Sequence, residues 1–153
     1  MKTIADLLRE QPFFKDLGDD YIATIAGCGR NVVFKNGEVI TREEQPADEF
    51  YIVREGKIAI DITGPARGPL TIQTIEGGEL LGFSWIVPPY LWRFNSRAIE
   101  TTHAVSLDGK CLRGKCELDT KLGYELLKHF AEVLSRRLEM TRLQLLDIYA
   151  VKS

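Results

Sequence analysis

The sequence predicts a mainly β protein, in which a jelly-roll barrel is flanked by N-terminal helices and by one long C-terminal helix. Short β-prone runs, each closed by Gly or Pro, recur at roughly even spacing between residues 31 and 109, as in an all-β barrel. Apolar residues recur at helical spacing on both sides of this region. The length of 153 residues and the 44% apolar and 27% charged composition suit one globular unit with its own core. We therefore expect a single domain, 1–153.

The three parts of this domain are predicted from the order of the patterns. N-terminal helices are expected over 1–30, where Leu7 and Leu8 begin an apolar stripe and Asp19-Asp20 resembles a second helix start. The barrel is expected over 31–109, and the C-terminal helices over 110–153. The predicted strands contain the runs Val32–Phe34, Val39–Ile40, Phe50–Val53, Ile58–Ile62, Leu70–Ile75, Ala98–Ile99 and Ala104–Leu107. Gly64–Pro69 is expected to be an exposed hairpin loop.

The last helix is predicted to run from about Thr120 to Tyr149, since no proline interrupts it. Its apolar seam has a mean spacing of 3.5 residues, which is typical of a coiled coil. The seam is Leu127, Phe130, Leu134, Leu138, Thr141, Leu145 and Ile148. A helix of this length extends about 45 Å, longer than a small barrel can cover. We expect a homodimer through this helix; the alternative is that the helix packs only on its own barrel.

Charge, histidine and cysteine content limit the possible functions. The net charge of −2 does not favour a dedicated nucleic-acid binder, and two His are too few for a usual zinc or iron site. The three cysteines, Cys28, Cys111 and Cys116, are expected to be reduced cytosolic thiols, with a redox sensor as the alternative. No leader or membrane-spanning run is visible, so a cytoplasmic protein without membrane contact is expected.

Four segments in this order resemble the cyclic nucleotide-binding domain of the catabolite-activator/fumarate-nitrate-regulator superfamily. They are Phe34–Ile40, Glu49–Ile58, Leu70–Gly82 and the stretch from Arg97-Ala98 to Leu107-Asp108. The resemblance covers nearly the whole chain and implies a non-enzymatic regulatory domain. It implies a phosphate-binding cassette, expected here at 78–94, in which a short helix offers backbone N–H groups to a cyclic phosphate. An Arg contacts that phosphate, a Glu accepts the ribose hydroxyl, and the long helix caps the base and signals to an effector.

This sequence departs from the family pattern at both of those side chains. Gly78 to Gly82 keep the family spacing, but Phe83 stands where the resemblance implies the ribose Glu. The phosphate Arg is expected about five residues before Arg97, which is the position of Trp92. Arg93, one position away, and Arg97 itself are the remaining candidate anion ligands.

The cassette is instead rich in aromatic residues, with five between residues 83 and 94. These rings could fill a vestigial pocket, form a site for a flat-ring ligand, or be an exposed docking surface. In the ligand interpretation, Ser84, Arg93 and the cassette N–H groups supply polarity. The candidate ligand-binding residues are Gly82, Phe83, Ser84, Trp85, Trp92, Arg93, Arg97 and Ala98.

The resemblance and its departures predict a stand-alone sensor domain. It would bind a cyclic nucleotide or another small anionic or aromatic ligand, with no other cofactor expected, and act on an unknown protein effector. No DNA-binding domain follows the long helix before Ser153, so direct DNA binding is not expected. The main alternative is a non-sensing homodimeric interaction module that docks a partner on the cassette. A remote alternative, a cupin-like metal enzyme, is disfavoured by the scattered histidines.

Overall fold

The computed structural model describes residues 1–63 and 68–152 and contains two antiparallel four-stranded sheets. The strands are β1 (Gly29–Phe34), β2 (Val39–Thr41), β3 (Glu49–Glu55), β4 (Lys57–Thr63), β5 (Pro69–Glu76), β6 (Leu80–Leu81), β7 (Asn95–Ala98) and β8 (Thr102–Asp108). Their orders are β1-β8-β3-β6 in one sheet and β2-β7-β4-β5 in the other. This arrangement confirms the predicted jelly roll. Residues 64–67 of the predicted hairpin loop lie outside the described residues.

Helices flank the sheets as the sequence predicts. They are α1 (Ile4–Arg9), a 3₁₀ turn (Pro12–Phe14), α2 (Asp19–Ala26), α3 (Gly109–Leu118) and α4 (Thr120–Lys152). A capping box between Thr3 and Asp6 begins α1. The Asp108 carboxylate begins α3 by accepting a hydrogen bond from the Cys111 backbone N–H at 2.8 Å. The long helix α4 follows α3 after Asp119 alone.

Alternation along β3 divides the core into a helix side and a barrel interior. Phe50 and Ile52 pack against the helices, whereas Val53 packs inside the barrel, with Tyr51 on the same side. The helix side is the larger cluster and contains Phe130 of α4. The cassette and α4 therefore meet on the same face of the β3 sheet.

The expectation of three reduced thiols is wrong, because Cys28 and Cys111 form a disulfide with a Cα–Cα distance of 5.8 Å. These residues are 83 positions apart in the sequence. The antiparallel pairing of β1 with β8 sets Gly29 opposite Leu107, so the residue before β1 meets the start of α3. Cys116 is the free cysteine.

Candidate functional site

The cassette residues between β6 and β7 form turns, not the short helix that the resemblance implies. Proline at positions 88 and 89 supplies no N–H donors, which disfavours a regular helix at this point. The segment is held instead by the loop before β3. Its Gln45 carbonyl accepts from the Trp92 N–H at 2.9 Å, and Ala47 N–H donates to the Tyr90 carbonyl at 2.7 Å. The cassette therefore lacks the helix N-terminus that would bind a phosphate.

Trp92 occupies the space beside Gly82 at the start of the cassette. Its side chain is only 5% exposed. A Cβ built on Gly82 would lie 2.7 Å from the Cη2 atom of the indole. The position at which the resemblance implies a phosphate-binding Arg thus holds a buried aromatic ring against the cassette backbone.

Trp85 and Phe83 pack toward the helices. Trp85 is fully buried and stacks on Phe50 with ring centroids 4.7 Å apart. Phe83 is half-buried, and its ring lies 5.6 Å from that of Phe130 on α4. Because the rings of Trp85 and Trp92 are both buried, the interpretation of these two residues as exposed docking anchors is wrong.

Both candidate anion ligands, Arg93 and Arg97, are paired with a carboxylate of this chain. Arg93 is exposed and lies 3.7 Å from the Glu44 carboxylate. The Nε of Arg97 donates to the buried carboxylate of Asp61 at 3.1 Å, and Asp61 also accepts from the Thr71 hydroxyl. Arg97 alternates along β7 with buried residues, of which Ala98 packs inside the barrel. The Arg97 guanidinium is therefore already paired with a buried carboxylate. Ser84 is half-buried on the cassette turn.

The apolar seam predicted on α4 is exposed, with one exception. Phe130 is buried, and its ring contacts those of Phe13, Phe50 and Trp85, so its place in a dimer seam is corrected to the core of its own chain. The reason is that α4 rests on the barrel through Leu122, Leu126 and Phe130. The exposed members of the seam are Leu127, Leu134, Leu138, Thr141, Leu145 and Ile148.

A groove of about 770 Å³ lies where α4 crosses β5 and the start of the cassette. We call it the α4 groove. It is lined by Pro12, Phe13, Ile72, Gln73, Thr74, Gly78, Glu79, Leu80, Val133, Arg136, Arg137, Met140, Thr141 and Gln144. The α4 residues of this set were not among the sequence-predicted ligand residues. Their one signal in the sequence is the adjacent pair Arg136-Arg137.

Two arginines dominate the charge of the α4 groove, against one carboxylate from Glu79. Arg137 is held in place: its guanidinium donates to the Leu80 carbonyl and lies 5.0 Å from the ring centroid of Phe83. Burial lowers the pKa of Arg137, and the charge of Glu79 opposes that shift. Arg136 is exposed at the groove. A guanidinium pair beside apolar walls can hold an anionic group by charge-assisted hydrogen bonds.

Comparison with known proteins identifies the domain family to which this chain belongs. The model of the cyclic nucleotide-binding domain matches residues 31–119, more than half of the chain. The chain therefore belongs to the cyclic nucleotide-binding domain family.

Individual relatives agree with this assignment. A CRP-like cAMP-activated global transcriptional regulator of Mycobacterium tuberculosis is 28% identical over 94% of this chain. The chain spans 62% of the length of that regulator. A candidate cyclic nucleotide-binding protein from Geobacter metallireducens GS-15 has a TM-score of 0.77 and 27% identity, with 86% of this chain and 95% of that chain covered. The regulatory domain of Toxoplasma gondii PKA, solved with cAMP, shares the fold with a TM-score of 0.72 and 19% identity, over 87% of this chain and 49% of that one.

Within the described ranges, no three or more His, Cys, Asp or Glu residues come together as a group that could hold a metal ion. The cupin-like alternative thus has no ligand set among these residues. No helix in the described part of the chain is long and apolar enough to cross a membrane. The cytoplasmic location stays a prediction.

Proposed function

We propose that this chain is a ligand-sensing regulatory domain, in which the α4 groove holds a small molecule with an anionic group and a flat ring. The observation that carries the proposal is that α4 forms one wall of the 770 Å³ groove, which Arg136 and Arg137 line together with Gly78, Glu79 and Leu80 at the cassette start. A ligand there contacts both the barrel and the helix. It therefore binds one arrangement of α4 better than another, which is the requirement for a switch.

The chemistry of the groove indicates the ligand class. The guanidinium groups of Arg136 and Arg137 suit a phosphate or carboxylate, and the apolar side chains of Ile72, Leu80 and Met140 suit a ring. A cyclic nucleotide meets this description and is one candidate. Its anion would be held from α4, since positions 83 and 92 supply an aromatic ring each in place of the family Glu and Arg.

The proposal includes a homodimer through α4. Phe130 is buried, so the exposed neighbour Ala131 takes its place in the seam. The seam then follows an uninterrupted heptad pattern, with alternating steps of four and three residues from Leu127 to Ile148. The apolar side chains of this seam are about half exposed in the single chain, and a second copy would cover them. The signal would then pass to a protein effector through the dimer.

Binding measurements with a matched pair of variants test the ligand site. Calorimetry and thermal shift would compare cyclic AMP, cyclic GMP, AMP and adenosine, and native mass spectrometry would reveal any copurified small molecule. Arg136→Gln removes a groove cation, whereas Arg142→Gln removes an exposed α4 cation that does not line the groove. We expect an anionic compound to bind and to lose at least about tenfold in affinity in Arg136→Gln only, since hydrogen bonds to charged groups contribute about 1.5–3 kcal/mol. Equal affinity in both variants would overturn the site.

A second candidate function is a non-sensing dimeric module. The burial of Trp92 against Gly82 favours it, because a buried ring stands at the sequence position where the resemblance implies the phosphate-binding Arg. A chain that dimerises but binds neither the nucleotides nor any copurified compound would support this function over the first.

A further inference from the structure

We propose that the Cys28–Cys111 disulfide is a reversible thiol–disulfide exchange site for a small carboxylate-bearing thiol of the glutathione class. Its oxidation state would set how firmly α3 is held against the junction of α2 and β1. The disulfide lies away from the α4 groove, and its exchange does not require the proposed ligand.

Both cysteines line a cavity of about 250 Å³, which gives a small thiol access to the sulfur atoms. Cys28 is 8% exposed and Cys111 is half-buried, so Cys111 is the more accessible half of the pair. The other lining residues are Gly27, Gly29, Arg30, Glu49, Ser106 and Asp108. Glu49 lies 3.6 Å from Arg30 and accepts a hydrogen bond from the Ser106 hydroxyl.

The cavity carries charges of both signs, Arg30 against Glu49 and Asp108, and glutathione likewise carries an ammonium group beside its carboxylates. The Asp108 carboxylate already accepts from the Cys111 N–H at the start of α3. The side chain of Arg30 is 67% exposed, which leaves its guanidinium accessible to a carboxylate of the incoming thiol. The cavity therefore offers one accessible cation for a carboxylate of the thiol, and two carboxylates near which its ammonium group can lie.

The exchange requires two equivalents of thiol. The thiolate of the first attacks Cys111 Sγ, the S–S bond breaks, and Cys28 leaves as a thiolate that takes up a proton. A second thiolate attacks the mixed disulfide at the sulfur of the bound small thiol, releasing the small-molecule disulfide and Cys111 as a thiol after protonation. The protein gains two electrons and two protons, and the two small thiols are oxidised. The reverse sequence, with the small-molecule disulfide as oxidant, restores Cys28–Cys111.

The disulfide joins the end of the N-terminal helices to the element that leads into α4. Two other contacts connect the same parts: the Asp108 N–H donates to the Cys28 carbonyl at 2.9 Å, and Lys115 Nζ donates to the Thr24 carbonyl at 2.7 Å. These contacts would keep α3 in place after reduction, but with one covalent constraint fewer. Since α3 packs against Gly123 of α4 through Cys116, a looser α3 changes the support of α4.

Cys116 serves as the control within the same helix. It is a free cysteine, and burial, together with the charges of Asp119 and Glu117, raises its thiol pKa. A raised pKa leaves little thiolate for exchange. Cys116 is therefore expected to be a bystander, and Cys116→Ser should leave the redox behaviour of the pair unchanged.

The test uses the folded 153-residue chain without any groove ligand, so failure of the proposed sensor function cannot affect it. Wild type and Cys116→Ser would be equilibrated over a range of reduced-to-oxidised glutathione ratios, quenched in acid and analysed by intact mass and peptide mapping. We expect both chains to interconvert between the Cys28–Cys111 disulfide and two thiols, and hydrogen exchange in residues 109–118 to become several-fold faster on reduction. Hydrogen exchange in β4 should be the same before and after reduction.

Three results would overturn the inference. The first is that the Cys28–Cys111 disulfide stays oxidised in excess reductant while the chain is folded. The second is that the two cysteines never oxidise to the disulfide. The third is that hydrogen exchange in α3 is the same in the oxidised and reduced states. A Cys28→Ser/Cys111→Ser variant should show the same hydrogen-exchange rates in α3 as the reduced wild type. If that variant fails to fold, the wild-type titration still decides the question.

Discussion

The Trp92 indole lies so close to Gly82 that a Cβ on the glycine would be 2.7 Å from Cη2 and 3.3 Å from the Cβ of Phe50. Gly82 also has a φ of +111°, which side-chain-bearing residues rarely adopt. Two independent constraints, backbone conformation and ring contact, therefore restrict this position to glycine. The same glycine begins the segment that the family uses for phosphate, and here an indole covers it.

Gly82→Ala should lower the free energy of unfolding by about 2–6 kcal/mol. The estimate adds about 1–3 kcal/mol for backbone strain to a similar overpacking cost from the ring. Urea unfolding at fixed protein concentration measures it. Gly114→Ala is the matched control, because no atom lies within 4 Å of its built Cβ and it sits inside α3, where alanine is favoured by up to about 1 kcal/mol. A Gly82→Ala protein as stable as wild type would contradict the ring contact.

Periodicity predicts most of the fold. The strands with alternating apolar residues, such as β3 and β4, were found from sequence, as was α4, whose long proline-free pattern leaves no other structure available. The short strands were predicted less accurately. Leu80–Leu81 forms strand β6, which is too short to show alternation and was included in the cassette, and β7 begins at Asn95 instead of near Ala98.

The site was predictable only where it depends on local sequence. The replacement of the family Glu and Arg by Phe83 and Trp92 can be read directly, but the burial of the rings depends on how α4 and the loop before β3 close over the cassette. The α4 groove joins β5 to a helix that is about 60 residues away, and the disulfide joins positions 83 apart. Contacts between residues this far apart in the sequence depend on the chain topology, which cannot be derived from one sequence by periodicity alone.

Arg137→Met should lower the free energy of unfolding by about 1–3 kcal/mol. The change keeps the aliphatic stem but removes the donor to the Leu80 carbonyl and the cation over Phe83. Thermal and urea unfolding would measure the loss. Arg137→Lys should restore only part of it, because an ammonium lacks the planar fork that stacks on a ring. Arg136→Met, at an exposed neighbour, should stay within about 0.5 kcal/mol of wild type, and an equal loss in both variants would contradict the role of Arg137.

Leu145→Glu should dissociate the proposed dimer, whereas Leu143→Glu should not. The two leucines are two positions apart on α4 and equally exposed, at 48% and 49%, but Leu145 lies on the heptad seam and Leu143 on the opposite face. A glutamate in the seam would bury an unpaired charge in each chain, which is strongly unfavourable. Sedimentation or light scattering over a concentration series gives the dissociation constant. Equal effects of the two substitutions would place the dimer interface elsewhere.

Tyr51 should make the protein less stable in strong base. Burial raises the pKa of its phenol to about 12, the negative charge of Glu49 adds to the rise, and Arg30 opposes it. The folded chain thus holds this proton more tightly than the unfolded chain, in which tyrosine titrates near pH 10. The resulting stabilisation is complete below about pH 10 and is lost as the pH rises to about 12, by roughly 2–3 kcal/mol.

Tyr51→Phe isolates this contribution, because it removes the ionisable hydroxyl and keeps the ring that packs edge-on against Phe34, with centroids 5.5 Å apart. Every other ionisable group is common to both proteins, so the difference between the two urea-unfolding series reports Tyr51 alone. Between pH 10 and 12, wild type should lose more stability than Tyr51→Phe. Parallel pH profiles would mean that the phenol is hydrated in the folded chain, and the barrel interior around Tyr51 would then be open to water.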